Sequence, residues 1–324
     1  MWYNFPAMKK SDLPSSPFRQ TKRPRPAGTS VLLKLVCGAV AMLAAVCASA
    51  DVKRCGYWLH GKTMKDVDVT SLVSFGTTDV FLHEYAFKAH GRKDVEDWLA
   101  KAEAAGLKVH IWIQAFYNGK WINPVKDGAP DTALFDEKIK RAQSYARIRG
   151  VAGIHFDYVR YPGTAYKTPG GMEAVSEFVK QAATRLHQTS PRLVVSVALM
   201  PETTANPHYY GQDYAAITKY MDVVVPMIYK GNYKKTTSWI ESTTRWFVKN
   251  SKGAKVWAGL QGYKSDEDTS PLPTPEITAD AKAALEAGAA GAVIFRWGVT
   301  NFAVFPCGRR DAHGRTAASP PRHR

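Results

Sequence analysis

Eight short apolar segments run between Gly56 and Trp297, separated by longer amphipathic stretches, and this alternation constrains the fold more than any other feature. The segments are Gly56–His60, Val80–His83, Lys108–Gln114, Gly153–Asp157, Leu193–Leu199, Asp222–Tyr229, Lys255–Leu260 and Ala292–Trp297. Val, Ile and aromatics dominate them, and several are apolar at consecutive positions, as strands covered on both faces must be. The helical stretches are Val95–Ala105, Leu134–Ile148, Met172–Leu186, Thr236–Val248 and Glu276–Ala287. Gly106, Gly150, Gly253 and Gly288 stand where helices must stop before the next strand. Eight strands alternating with helices predict an α/β fold, a single-domain (β/α)8 TIM barrel over residues 51–307. A doubly wound open sheet is the rival, but no glycine-rich phosphate loop follows the first segment. No cofactor is expected.

The two ends differ from this body. Residues 1–50 hold seven Lys/Arg and one acid, a net +6, and residues 308–324 hold five Arg and one Asp, a net +4. Subtracting both from the total of +16 leaves +6 for residues 51–307. The body is only mildly basic and carries no basic-aromatic motif, so no nucleic-acid partner is expected; an acidic polymer would suit it. Lys9, Lys10, Arg19, Lys22, Arg23 and Arg25 precede an apolar run, Leu35–Val46, that ends in Ala48-Ser49-Ala50. This is the shape of a signal peptide. Residues 1–50 therefore read as a cleaved leader, with the mature protein starting near Asp51 and secreted or associated with the cell envelope. A membrane partner is expected only if the leader stays uncleaved, when Val31–Ala50 could span a bilayer. The tail after Cys307 reads as basic and disordered, leaving room for no more than a short closing helix. Removing Cys37 and Cys47 with the leader keeps only Cys55 and Cys307. In a closed barrel the first and last strands are neighbours, so these two can pair in an oxidising compartment; two free thiols are the alternative.

The strongest local signal is Gly153-Ile154-His155-Phe156-Asp157-Tyr158-Val159-Arg160-Tyr161-Pro162. Strand alternation puts Ile154 and Phe156 on one face and His155 and Asp157 on the other. The apolar pair should face the helices, which sends Asp157 into the barrel lumen at the C-terminal end of the fourth strand, the end where TIM barrels build their sites. A carboxylate there is costly unless it is hydrogen-bonded or functional; pairing with Arg160 or Arg296 is the purely structural alternative.

The string FDYVRYP resembles the fourth-strand signature of a group of bacterial and archaeal glycoside-hydrolase barrels. ALMPE, VPMIYKGNY, GLQGY and FRWG on the later strands are similar to secreted barrel proteins of methanogenic archaea within that group. The resemblance covers Cys55 to Asn301 and implies a glycan hydrolase with Asp157 as a catalytic carboxylate. Met227-Ile228-Tyr229 and Trp297 are more distantly similar to chitinase barrels, where the tyrosine assists an acetamido nucleophile and the tryptophan floors the sugar subsite. The chain departs from chitinases at Val159, where they carry the catalytic Glu.

Glycoside hydrolysis usually needs two carboxyl groups. The sequence-based assignment is Asp157 as nucleophile or base and Glu202, just past the fifth strand, as general acid, with Glu84 as the alternative second carboxylate. Asp222 opens the sixth strand and belongs to the opposite, stability end; Asp213 reads as a first-turn helix acid. The strand ends also offer Glu84, Gln114, Tyr117, Tyr158, Arg160, Tyr229, Asn232, Gln261 and Trp297 as substrate-binding residues, with Trp297 under a sugar ring and Tyr229 bonding a substituent of that ring. The partner is then a polysaccharide, with an acidic or amino-sugar wall glycan the first to test. Two other classes stay open. One is a non-catalytic glycan-binding barrel. The other is a metal-dependent hydrolase built on His60, His83, His110, His155 and Asp157, although no paired His-x-His follows the first strand. The assignment itself includes no metal site.

Overall fold

A computed structural model of the chain describes residues 53–301, 303–305 and 307. The expected leader (1–50) and basic tail (308–324) lie outside the described residues. Eight strands form the barrel: β1 (Arg54–Leu59), β2 (Asp79–His83), β3 (Lys108–Gln114), β4 (Val151–Asp157), β5 (Val194–Leu199), β6 (Val223–Ile228), β7 (Lys255–Gln261) and β8 (Gly291–Phe295). They close in the order β1-β8-β7-β6-β5-β4-β3-β2, every pair parallel. All eight apolar segments are strands, as their composition predicts.

The outer layer is more divided than expected. A short helix α1 (Val69–Ser74) precedes β2, and α2 (Tyr85–His90) and α3 (Arg92–Ala104) follow it. After β3 comes α4 (Thr132–Ala146) and after β4 α5 (Gly171–Thr189). Two short helices, α6 (Asn206–Tyr210) and α7 (Tyr214–Ile217), fill the space before β6, and α8 (Thr237–Asn250) and α9 (Thr274–Glu286) complete the layer. The short helices are fixed by end signals: Asp68 caps α1 by accepting from Thr70 N, and Asp213 caps α7 by accepting from Ala215 N and Ala216 N. The long helices obey the apolar stripe. Helix α5 buries Ala174, Val175, Phe178, Ala182 and Leu186. Phe178 lies 5.4 Å from Phe156 of β4, ring centre to ring centre, which confirms the outward face of that strand. Burial of such a ring contributes about 1.5–3 kcal/mol.

In place of a full eighth helix, for which the sequence leaves little room, the described residues after β8 close the barrel by extended contacts. Among the described residues no helix follows β8. Instead Ala303 N donates to the Tyr57 hydroxyl at 2.9 Å, Phe305 packs 5.3 Å from the Tyr57 ring, and Phe305 N donates to Phe75 O at 3.0 Å. Cys307 is disulfide-bonded to Cys55 of β1, with the Cα atoms 5.8 Å apart across a sequence separation of 252. The second of the two cysteine readings is thereby excluded, because the last described residues lie against the strand that carries Cys55.

The lumen is layered from bottom to top. At the N-terminal end Asp79 accepts from Arg54 at 2.7 and 2.8 Å, and its Oδ1 is bonded to His110 Nε2 at 2.9 Å. Burial pushes the Asp79 pKa up, but the bonds and charges of His110 and Arg54 outweigh it and hold the group below the carboxylate range. Gly153 is obligatory beside this layer, since a Cβ there would collide with the His110 ring. The middle layer is aromatic: Phe81 stacks on His155 at 4.1 Å, Trp58 meets Phe81 edge-on at 5.2 Å, and His155 Nδ1 is bonded to Ser196 Oγ at 2.9 Å. Asp222 sits at the opposite mouth from the strand ends, accepting from Val195 N and bonded to His187, as a stability residue should.

Candidate active site

Above the aromatic layer the strands end in polar groups. Asp157, 2% exposed, is the last residue of β4. Its Oδ2 accepts from the Trp112 indole Nε1 at 3.2 Å, and its Oδ1 accepts from Tyr158 N at 2.7 Å. Both donors have local causes. Trp112 is two residues before the end of β3 on the lumen face, and Gln114 beside it is in register with Asp157. Tyr158 adopts a left-handed conformation, φ 55°, uncommon for an aromatic residue. That geometry turns its N–H back onto the preceding carboxylate.

Tyr229 follows β6 and is 1% exposed, and its hydroxyl has no hydrogen-bond partner. Leaving a buried hydroxyl unpaired costs about 1–3 kcal/mol, a cost for which packing alone gives no reason. Burial raises its pKa well above 10, and the charges of Tyr263, Asp157 and Asp266 add to the effect. The phenol therefore stays protonated and able to donate.

Glu202 lies past β5. Its Oε1 accepts from the Tyr210 and Tyr233 hydroxyls at 3.0 and 2.6 Å, while the buried Oε2 has no partner. Burial raises its pKa, against the lowering effect of the two tyrosines and of Arg160. The carboxyl can thus hold a proton to higher pH than an exposed one, and the free Oε2 is the atom left to present it. The same side chain lines a groove with Tyr233, Lys235, Trp239 and Trp246.

Around Asp157 the rim is aromatic and cationic. Tyr117 stacks on Tyr158 at 4.7 Å. The Arg160 guanidinium lies over the rings of Trp121, Tyr158 and Tyr210 at 4.8, 5.3 and 5.7 Å, and its Nη1 donates to Tyr161 O.

Trp297, Gln261, Asn232 and Glu84, four of the sequence-based substrate residues, have partners within the protein. The Trp297 ring packs edge-on against Tyr57 at 5.5 Å, and Tyr57 belongs to the outer core with Phe305. Strand β8 ends at Phe295, two residues before Trp297, and Phe295 stacks on Tyr229 at 5.6 Å. Gln261 is in the lumen, but its amide is committed to Asn232, accepting from Asn232 N at 3.1 Å and donating to Asn232 Oδ1 at 2.9 Å. Asn232 also takes Asp266 N on Oδ1 and keeps only its Nδ2 without a partner. Glu84 is bound on the helix side, 3.4 Å from Arg141 Nε and hydrogen-bonded by Tyr145, both on α4. Burial nevertheless raises its pKa.

Sequence reasoning passed over Trp112 and Asp266, and offered His83 only as a strand-end group and candidate metal ligand. Trp112 was legible from strand alternation. His83 Nδ1 accepts from Tyr85 N at 3.1 Å, and its ring stands edge-on to Trp112 at 4.6 Å. Burial, with the charges of His60 and Arg141, pushes its pKa down to about 4, so it is neutral at physiological pH. Asp266, on the loop after β7, accepts from the Tyr263 hydroxyl at 2.8 Å, and burial raises its pKa; loop residues carry no periodicity that could have announced it. Among the described residues no three His, Cys, Asp or Glu side chains converge as metal ligands. His110 is bonded to Asp79 and His155 to Ser196.

This geometry can be set beside known proteins. Residues 96–247 match the sequence profile of a family described as "Putative glycosyl hydrolase domain". The matched stretch contains Trp112, Asp157, Glu202 and Tyr229, so the chain carries a glycosyl-hydrolase-like domain. No curated protein matches the chain. Among solved structures it is similar to the glycoside hydrolase domain of PgaB (BpsB) from Bordetella bronchiseptica, with TM-score 0.59, 11% identity, and coverage of 76% of this chain and 95% of that one. A class V chitinase from Pseudomonas fluorescens gives TM-score 0.59 and 14% identity, covering 79% and 98%. A glycoside hydrolase family 18 N-acetylglucosaminidase from Paenibacillus barengoltzii gives 0.57 and 11%, covering 77% and 96%. At these identities the likeness is one of fold.

Proposed function

We propose that this protein is a glycoside hydrolase whose reactive carboxylate is Asp157. The observation that carries the reading is the placement of Asp157, buried at the C-terminal end of β4 and held by Trp112 Nε1 and Tyr158 N. The two donors fix the direction of the carboxylate at the mouth of the barrel, where a nucleophile or base has to stand. Glu202 is the acid. Its protonated Oε2 gives its proton to the glycosidic oxygen as the bond to the anomeric carbon breaks, while Asp157 attacks that carbon or takes a proton from the attacking water. Tyr229 donates its hydroxyl proton to a substituent of the same sugar ring, the partner that its burial otherwise denies it.

The substrate in this reading is a wall or extracellular polysaccharide. An amino-sugar glycan is supported by the neighbouring folds that are named as a chitinase and an N-acetylglucosaminidase. Export is supported by the leader pattern and by the Cys55–Cys307 disulfide, since such bonds persist in oxidising compartments. The test is release of reducing ends by the purified full chain from solubilised wall polysaccharide and from N-acetyl-chito-oligosaccharides. Release that tracks protein concentration supports the proposal; binding without release would make the barrel a glycan-binding module.

A further inference from the structure

Few large apolar side chains are exposed in this barrel. Among the described residues they are Trp121 (37%), Tyr166 (54%), Tyr220 and Val304. Trp121 lies on the loop after β3, and Tyr166 lies on the loop after β4, the strand that ends in Asp157. Apolar side chains exposed singly are ordinary, but these two both stand on loops that follow strands at the mouth of the barrel.

The two are linked by a series of ring and guanidinium contacts whose inner members, Tyr158, Arg160 and Tyr210, are buried. The Trp121 ring stands 5.4 Å from Tyr158, the residue next to Asp157, and carries the Arg160 guanidinium at 4.8 Å. Arg160 lies 5.7 Å from the Tyr210 ring, which is 6.4 Å from Tyr209. Tyr209 meets His208 at 4.7 Å, and His208 stacks parallel on Tyr166 at 4.8 Å, with 3° between the planes. The series starts beside the reactive carboxylate and ends on the surface. Tyr210 also holds Glu202, so the band passes both proposed catalytic groups.

We infer that the exposed ends of this series, Trp121 on one side and Tyr166 with His208 on the other, form an extended glycan-binding surface, which seats the part of a polysaccharide chain remote from the bond cleaved and makes the protein a reader of long chains. The inference rests on the glycoside-hydrolase reading of Asp157. Exposed flat rings match the apolar C–H faces of pyranose rings, and the exposed Lys167, 5.6 Å over Tyr166, supplies a cation for hydroxyl or acidic substituents. The occupant is fixed by continuity: Trp121 stands against Tyr158, the residue next to Asp157, so a chain bound at Asp157 meets this ring as it leaves the barrel mouth.

The experiment uses the full chain, with N-acetyl-chito-oligosaccharides of two to six units and a soluble chitin derivative as probes. Tyr166 and His208 are both exposed, so Tyr166→Ala with His208→Ala should leave folding and melting unchanged. For the long probe kcat/KM should fall about tenfold, as the loss of two aromatic contacts implies. Hydrolysis of the shortest cleaved oligosaccharide should stay within about twofold. Trp121→Ala in an Asp157→Asn background should weaken binding of the long probe about fivefold by gel retardation. Equal losses on long and short probes, or no loss on either, overturns the inference and leaves the catalytic reading standing. Length-dependent binding lost in the variants, with no hydrolysis by the wild-type chain, sinks the catalytic reading and keeps the band.

Discussion

Trp112→Phe tests how Asp157 is kept in its working state. The substitution keeps an aromatic ring beside His83 and Phe295 and removes one thing of consequence, the N–H that reaches Asp157 Oδ2 at 3.2 Å. A hydrogen bond to a charged group contributes about 1.5–3 kcal/mol. At 3.2 Å the bond is long for its class, so the lower figure applies. Since about 1.36 kcal/mol corresponds to a factor of ten in rate, and a carboxylate that loses one of its two anchors is less well aimed, kcat/KM should fall about tenfold, while Tyr158 N still holds Oδ1. The assay is kcat/KM on a chito-oligosaccharide taken across a pH–rate profile, with circular dichroism to confirm the fold. An unchanged kcat/KM would refute the claim that Trp112 holds the reacting group in its working position.

Glu202→Gln should abolish the basic limb of the same profile, because that limb reports loss of the proton that burial retains on this carboxyl; substrates with good leaving groups should be spared. Tyr229→Phe should leave melting unchanged or slightly raised, since the hydroxyl has no partner to lose, and should lower kcat/KM by roughly 10–100-fold if the hydroxyl serves the substrate. Cys55→Ser with Cys307→Ser should cost about 2–4 kcal/mol and lower the melting temperature by roughly 5–15 °C, read by calorimetry with and without reductant.

The barrel was legible because its signal is repeated and local. A strand buried on both faces has to be apolar at consecutive positions, and Lys108–Gln114 shows the same bounds in sequence and structure. Face alternation also placed Asp157 in the lumen and Phe156 against Phe178. The rule stops where the strand stops. Trp297, assigned from the resemblance to chitinase barrels, lies two residues beyond the end of its strand, where alternation does not set its direction, and its ring packs against Tyr57. Helices of four to six residues, such as α1 and α7, are too short to show a 3.6-residue period and are announced only by their capping aspartates. Gln261 reaches the lumen as alternation requires, yet its amide is consumed by Asn232, a pairing that depends on where two loops meet. The left-handed backbone of Tyr158 and the loop carboxyl of Asp266 leave no mark on the pattern at all.

The central claim is that Asp157 performs chemistry at the mouth of the barrel. Asp157→Asn keeps the size of the side chain and an oxygen that can accept from Trp112 Nε1 or Tyr158 N, and removes the anionic charge. The decisive measurement is the single-turnover rate of glycan hydrolysis by this variant beside the wild-type chain, with melting followed in parallel. The account predicts a fall of several orders of magnitude with the barrel still folded and still binding the oligosaccharide. Hydrolysis at the wild-type rate by folded Asp157→Asn would contradict it.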